Sequence, residues 1–234
     1  MKNCKKLPVI VLMLLTATLT TTSNYASILL IDNSRQVSPF EKLELEGAFE
    51  IMLIQGDEES VFIDAPSDVN KEILTKVEGG TLHIYTEKGF KTKAKIAITV
   101  YFKNLREIDC SGAIDLTGMG PMRFETLLVD ASGACKIKME LTASKLNVDI
   151  SGAGNTTLSG KVNTVSLDIS GAGKYMASNL VADSYDIDVS GTGNAEINAA
   201  KQLDVEVSGT GNVRYSGDPK ITKDISGTGQ VSKM

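Results

Sequence analysis

From residue 106 onward apolar and polar positions alternate, and the alternation restarts at near-regular intervals on a serine followed by glycine. The restarts fall at Ser111, Ser132, Ser151, Ser170, Ser190, Ser208 and Ser226, spaced by 21, 19, 19, 20, 18 and 18 residues. One position before each serine stand Cys110, Ala131, Ile150, Ile169, Val189, Val207 and Ile225. Three before stand Ile108, Val129, Val148, Leu167, Ile187, Val205 and Lys223, and five before stand Arg106, Leu127, Leu146, Val165, Tyr185, Leu203 and Ile221. Apolar residues at every second position predict a strand with one buried face, because successive side chains of a strand point to opposite sides. A second strip follows the turn, with Leu116, Ile137, Thr156, Tyr175, Ala195, Val213 and Val231 five residues after the serines. Each repeat therefore predicts strand, glycine corner, second strand and return loop.

A unit of about 20 residues cannot bury its apolar face alone, so copies must stack. The expected fold is all-β: a single-chain β-solenoid of about seven coils over residues 106–234, its apolar columns running along the stack. The repeat is carried by Ser151, Gly152 and Gly154, then Ser170, Gly171 and Gly173, Ser190, Gly191 and Gly193, and Ser208, Gly209 and Gly211. The first glycine is expected where the pleat turns inward at the corner. The second, at Gly154, Gly173, Gly193 and Gly211, is expected to adopt a left-handed conformation.

Residues 38–105 lack the Ser-Gly signal but still read as strands, in "EKLELEG", "FEIMLIQG", "SVFIDAP", "TLHIYTE" and "KAKIAITVYF". A short helix is expected at 68–77 with Ser67 as N-cap. This β-rich section is expected to cap the first coil, where Arg106 breaks an inward column. Lys223 breaks one in the last coil, beside Pro219, Lys220 and Lys233. Charge and proline blunt open strand edges, so the C-terminal end reads as a solvated cap and the protein as a monomer.

Composition changes the picture at the N-terminus. Lys2, Lys5 and Lys6 precede an apolar stretch from Pro8 to Leu15, and a Thr/Ser-rich segment runs to Ala26. This layout predicts a signal peptide over 1–26, with a linker over 27–37, and hence export to the periplasm, cell surface or medium. Cys4 precedes the apolar stretch and so does not fit a lipid-attachment cysteine. Loss of 1–26 would deepen the net charge from −5 to −8. A chain this acidic is a poor partner for nucleic acid, whose backbone needs clustered Lys and Arg. With Trp absent, the core must be built from aliphatics and a few rings.

Repeated "SGAG" and "SGTG" after a strand-rich start and a signal segment resemble the bacterial secreted proteins of the auto-transporter adhesin, head GIN domain family. The likeness covers roughly residues 38–230. It implies a β-helical fold at or beyond the cell envelope and a role in adhesion, and it brings no catalytic residues. The first two coils depart from the motif, because Ile114 and Cys135 stand where the second glycine belongs.

The remaining candidate chemistry is sparse. Two positions before each serine lies an acid, namely Asp109, Asp130, Asp149, Asp168, Asp188, Glu206 and Asp224. Parity puts this row outside, with neighbours close enough to repel. Amides of the glycine corners are expected to offset that repulsion through Asx- and ST-turns. A calcium ladder over Asp149, Asp168, Asp188 and Glu206 is the alternative. Asn155, Asn194 and Asn212 recur four residues after their serines with Lys174 in register, a pattern that more often stabilises a stack than binds a ligand. Tyr175, Tyr185 and Tyr215 fall on inward columns, so the repeat offers almost no outward rings for sugars. His83, the single histidine, is expected on an outer strand face without metal partners. Cys110 and Cys135 can pair only if the second corner leans inward.

The sequence supports a non-catalytic interaction or adhesion module with no cofactor and an unknown surface ligand, protein or glycan. A calcium-dependent or glycan-binding β-helix is the alternative. A polysaccharide-acting β-helix enzyme fits less well, because coils of 18–21 residues leave no long loop from which to build a cleft.

Overall fold

The computed structural model describes residues 33–87 and 90–234. The expected signal segment, Cys4 and the start of the linker lie outside the described residues. The chain enters with β1 (Ser34–Gln36), β2 (Lys42–Gln55), β3 (Ser60–Asp64) and a four-residue helix α1 (Ser67–Asn70). Strands β4 (Ile73–Glu78), β5 (Thr81–Thr86) and β6 (Ala97–Phe102) follow. The long strands are β7 (Glu107–Gly133), β8 (Lys136–Ile150), β9 (Asn155–Ile169), β10 (Lys174–Val189) and β11 (Asn194–Val207). The described chain closes with β12 (Asn212–Ser216), β13 (Lys220–Ile225) and β14 (Gln230–Lys233).

From β7 to β14 the strands described pair in parallel and in register with the next turn, as a β-solenoid requires. Seven Ser-Gly corners enclose six complete turns, and about six turns are present. Val148, Leu167, Ile187 and Val205 stack directly and are buried, as the alternation predicts. The inward columns stop at the last coil: Lys223, paired with Val205, lies on β13, where all six residues are exposed, including Ile221 and Ile225, which alternation places inward, because no further coil covers them.

Four features depart from the sequence-based expectation. The solenoid register begins before residue 106: β2 pairs in parallel with β7 from Lys42↔Glu107 to Leu53↔Gly118. Glu46-Gly47-Ala48-Phe49 there stacks on Ser111-Gly112-Ala113-Ile114. Antiparallel strands β3 and β1 flank this coil through β6, and the antiparallel β4–β5 hairpin joins it at β5.

The segment expected as a return loop is strand as well. Strands β8 to β11 run from one corner to the next, and Leu141, Leu180, Val162, Ala182 and Ala199 bury a further strip. Register shifts between Thr117 and Pro121 and between Met176 and Asn179 absorb the varying coil length there. The helix ends at Asn70 because Ile73 and the residues after it pair with β5.

The corners form two classes, and neither gives the second glycine a left-handed backbone. In the early corners the twist falls on the first glycine, with φ of 107° at Gly112 and 128° at Gly133. The side chain in the next slot but one then turns inward, and Phe49, Ile114 and Cys135 are all buried. In the later corners Gly154, Gly173, Gly193 and Gly211 do not have positive φ. Glycine is needed there for space: a Cβ on Gly173 would overlap Cγ2 of Ile150 and sit 3.1 Å from the carbonyl oxygen of Gly154.

Candidate functional site

Two outward surfaces carry the residues singled out by the sequence. The first is the acid row. Asp130, Asp149, Asp168, Asp188, Glu206 and Asp224 are directly stacked, and Asp109 extends the row to Glu44 of β2. His83 continues it on β5, its Nδ1 3.0 Å from Glu44 Oε2. The lone histidine is thus the terminal neighbour of a carboxylate ladder, half-buried and paired.

The corner amides do not offset the repulsion in this row. They donate instead to the preceding coil, as Ala153 N does to Gly133 O at 2.9 Å, and Ala172 N to Gly152 O and Thr192 N to Gly171 O at 3.0 Å. Among the described residues no hydrogen bond reaches the carboxylates of Asp109, Asp130, Asp149, Asp168 or Asp188. The expected Asx- and ST-turns are therefore absent, because stacking uses the donors they need. Partial burial and then the charges of its neighbours push Asp109 above the ordinary carboxylate range. The same causes, in the same order, raise Asp149 and Asp168. Among the described residues no group of three or more His, Cys, Asp or Glu is placed to hold a metal ion.

The second surface lies after the corners. Asn155, Lys174, Asn194, Asn212 and Gln230 form one row, in which Asn212 Nδ2 donates to Asn194 Oδ1 at 3.1 Å. Beside it runs a row that crosses ten strands, from Phe62 through Thr99, Met52, Thr117, Lys138, Thr157, Met176, Glu196 and Arg214 to Ser232. Arg214 and Glu196 form an ion pair along it. Two shallow depressions mark its ends. One, of about 520 Å³, is lined by Lys174, Met176, Asn194, Glu196 and Arg214. The other, of about 420 Å³, is lined by Met52, Ala97, Asp115, Thr117 and Lys136.

Here the structure adds what the repeat did not offer. Phe62, Met52 and Tyr101 are 43%, 42% and 37% exposed. Phe62 and Met52 flank Thr99 in one row, and Tyr101 stands two residues further along the same strand. The two rings come from β3 and β6, outside the Ser-Gly coils. Their outward parity was legible from Val61 and Ile63 around Phe62, and from Val100 and Phe102 around Tyr101. By contrast Tyr175 and Tyr185 are buried, as their columns predict.

The family described as putative auto-transporter adhesin, head GIN domain, matches residues 39–219. The chain belongs to this family. The head GIN domain fold is also that of a putative adhesin from Bacteroides fragilis, 26% identical, with a TM-score of 0.83 over 86% of this chain and 95% of that one. A putative adhesin from Parabacteroides distasonis is 23% identical with a TM-score of 0.67. A putative lipid binding protein from the same organism is 22% identical with a TM-score of 0.68. Each of these two covers 86% of this chain and is itself covered over 95%, and the likeness shows the fold alone. No curated protein matches the chain significantly. In this head GIN domain chain no described helix is long and apolar enough to cross a membrane.

Proposed function

We propose that the chain is a non-catalytic adhesion module acting outside the cytoplasm, and that it binds its partner along the ten-strand face beginning at Phe62 and Met52. The observation that carries this reading is the continuity of that face. One outward row runs in register from an apolar, ring-bearing end to an amide- and charge-bearing end. Backbone stacking holds such a surface rigid, so little side-chain or loop ordering opposes binding. The names of the family and of the Bacteroides fragilis neighbour support adhesion, and the signal-like N-terminal sequence supports export.

A glycan is the second reading, favoured by the exposed Phe62 and Tyr101 rings, whose apolar faces suit the faces of sugars while nearby amides suit hydroxyls. The purified protein is to be tested on immobilised host-cell surfaces and on a glycan array. Phe62→Ala/Tyr101→Ala is expected to abolish binding without changing the melting temperature by more than ~2 °C, since surface changes cost little. Undiminished binding by the double variant would show that the face is wrongly assigned.

A further inference from the structure

We propose that Cys110 and Cys135 are joined by a disulfide that staples the first Ser-Gly corner to the second. Cys110 lies on the inward column just before Ser111 and is fully buried. Cys135 occupies the slot that glycine fills in later coils, and the positive φ of Gly133 turns its side chain inward, leaving it 1% exposed. The inward lean that pairing requires is therefore built into the corner. Cys135 Sγ donates to the Cys110 carbonyl oxygen at 3.1 Å, across 25 residues of chain. Interaction with the neighbouring cysteine raises the Cys110 pKa and lowers that of Cys135. Both cysteines are free in this structure.

The position of Cys135 is otherwise hard to explain. Its neighbours in the stack are Ile114 on one side and Gly154 on the other, and a Cβ on Gly154 would lie 2.6 Å from the Cys135 carbonyl oxygen. A small thiol fits this narrowing stack, and its tip reaches the backbone of Cys110.

The oxidant is an external disulfide such as oxidised glutathione or a thiol–disulfide oxidoreductase, as found in export compartments. The Cys135 thiolate attacks the reagent's S–S bond, giving a mixed disulfide and one reagent thiolate. The Cys110 thiolate then attacks Cys135 Sγ and expels the second reagent thiolate. Two protein S–H bonds and one reagent S–S bond are exchanged for one protein S–S bond and two reagent thiols, a two-electron reduction of the reagent. Because both sulfurs are buried in the folded coil, exchange belongs to folding, before the next coil closes over the corner.

The test refolds the full chain from denaturant in a glutathione redox buffer, then blocks thiols under denaturing conditions. Intact mass and peptide mapping are expected to show a Cys110–Cys135 linkage with neither residue alkylated. Dithiothreitol should lower the melting temperature by roughly 5–10 °C, the range expected for one loop closure in a domain of this size. Cys110→Ala/Cys135→Ala should melt near the reduced protein and ignore dithiothreitol. Alkylation of both residues after oxidative refolding, or a linkage that instead includes Cys4 or a second chain, overturns the proposal.

Discussion

Thr156 and Tyr175 sit one above the other in the column five residues after the corner serines, and each leaves a buried hydroxyl without a hydrogen-bond partner. The Tyr185 hydroxyl donates to Leu180 O at 3.2 Å. Burial, and then the neighbouring Tyr185, push the Tyr175 pKa up. An orphan hydroxyl costs about 1–3 kcal/mol of desolvation. Other coils place Ile137, Val213 and Val231 where Thr156 stands. Thr156→Val is therefore expected to stabilise the protein by about 1 kcal/mol in urea unfolding, and a loss of that size would place a bound water on the hydroxyl. Gly173 gives a second expectation at this scale. Its glycine is demanded by Ile150 rather than by φ, so Gly173→Ala should cost ~1–3 kcal/mol as overpacking. Combining it with Ile150→Ala should cost clearly less than the sum of the two single changes. Additive costs would return the strain to the backbone.

Within each strand, parity alone decides that the acid row faces out, but stacking decides what it meets there. Parallel pairing places carboxylate over carboxylate and assigns the corner N–H groups to the preceding coil's carbonyls. Asp109, Asp149 and Asp168 therefore hold their protons more tightly in the folded chain than in the unfolded one. Raised carboxylate pKa values oppose folding above the folded-state pKa, and the penalty disappears as pH falls to the ordinary carboxylate value near 3.9. Asp149→Asn/Asp168→Asn should thus raise the melting temperature at pH 7, and the gain should shrink toward pH 4 and in high salt. A variant that melts lower at pH 7 would mean that the carboxylates have a favourable partner. Calcium is the candidate if 5 mM of the ion raises the melting temperature of the parent protein alone.

At the scale of the molecule, each coil touches only its neighbours, so stability is carried pair by pair along the stack. The two ends are unequal. The N-terminal coil on β2 is covered by β5 and β6, with Leu43, Leu45, Ile51 and Leu53 all buried. At the other end β13 is exposed over all six residues, and Ile221 and Ile225 are 37% and 36% exposed. Hydrogen exchange should follow this gradient, with amides of β13 and β14 exchanging first and those of β8 to β10 last. Uniform protection from end to end would mean that the stack unfolds as one cooperative block.

Much of this architecture was legible in the chain, and the parts that were not share a cause. The columns of Val148 and Leu167 and the burial of Tyr175 and Tyr185 follow from alternation about the serines, because a strand's two-residue period is local. The coil on β2 escaped because Glu46-Gly47 carries the corner without the serine. The return strands escaped because bulges shift the register beyond the reach of an alignment anchored at the corner. The sequence by itself determined which side chains face in, where the chain turns and that its copies stack. Only the tertiary structure decided which carbonyl each corner amide finds, why Gly173 must lack a side chain, and that Cys135 leans onto Cys110. Those outcomes depend on the distance between residues some 20 positions apart, which is set when one coil settles on another and is written in no single repeat.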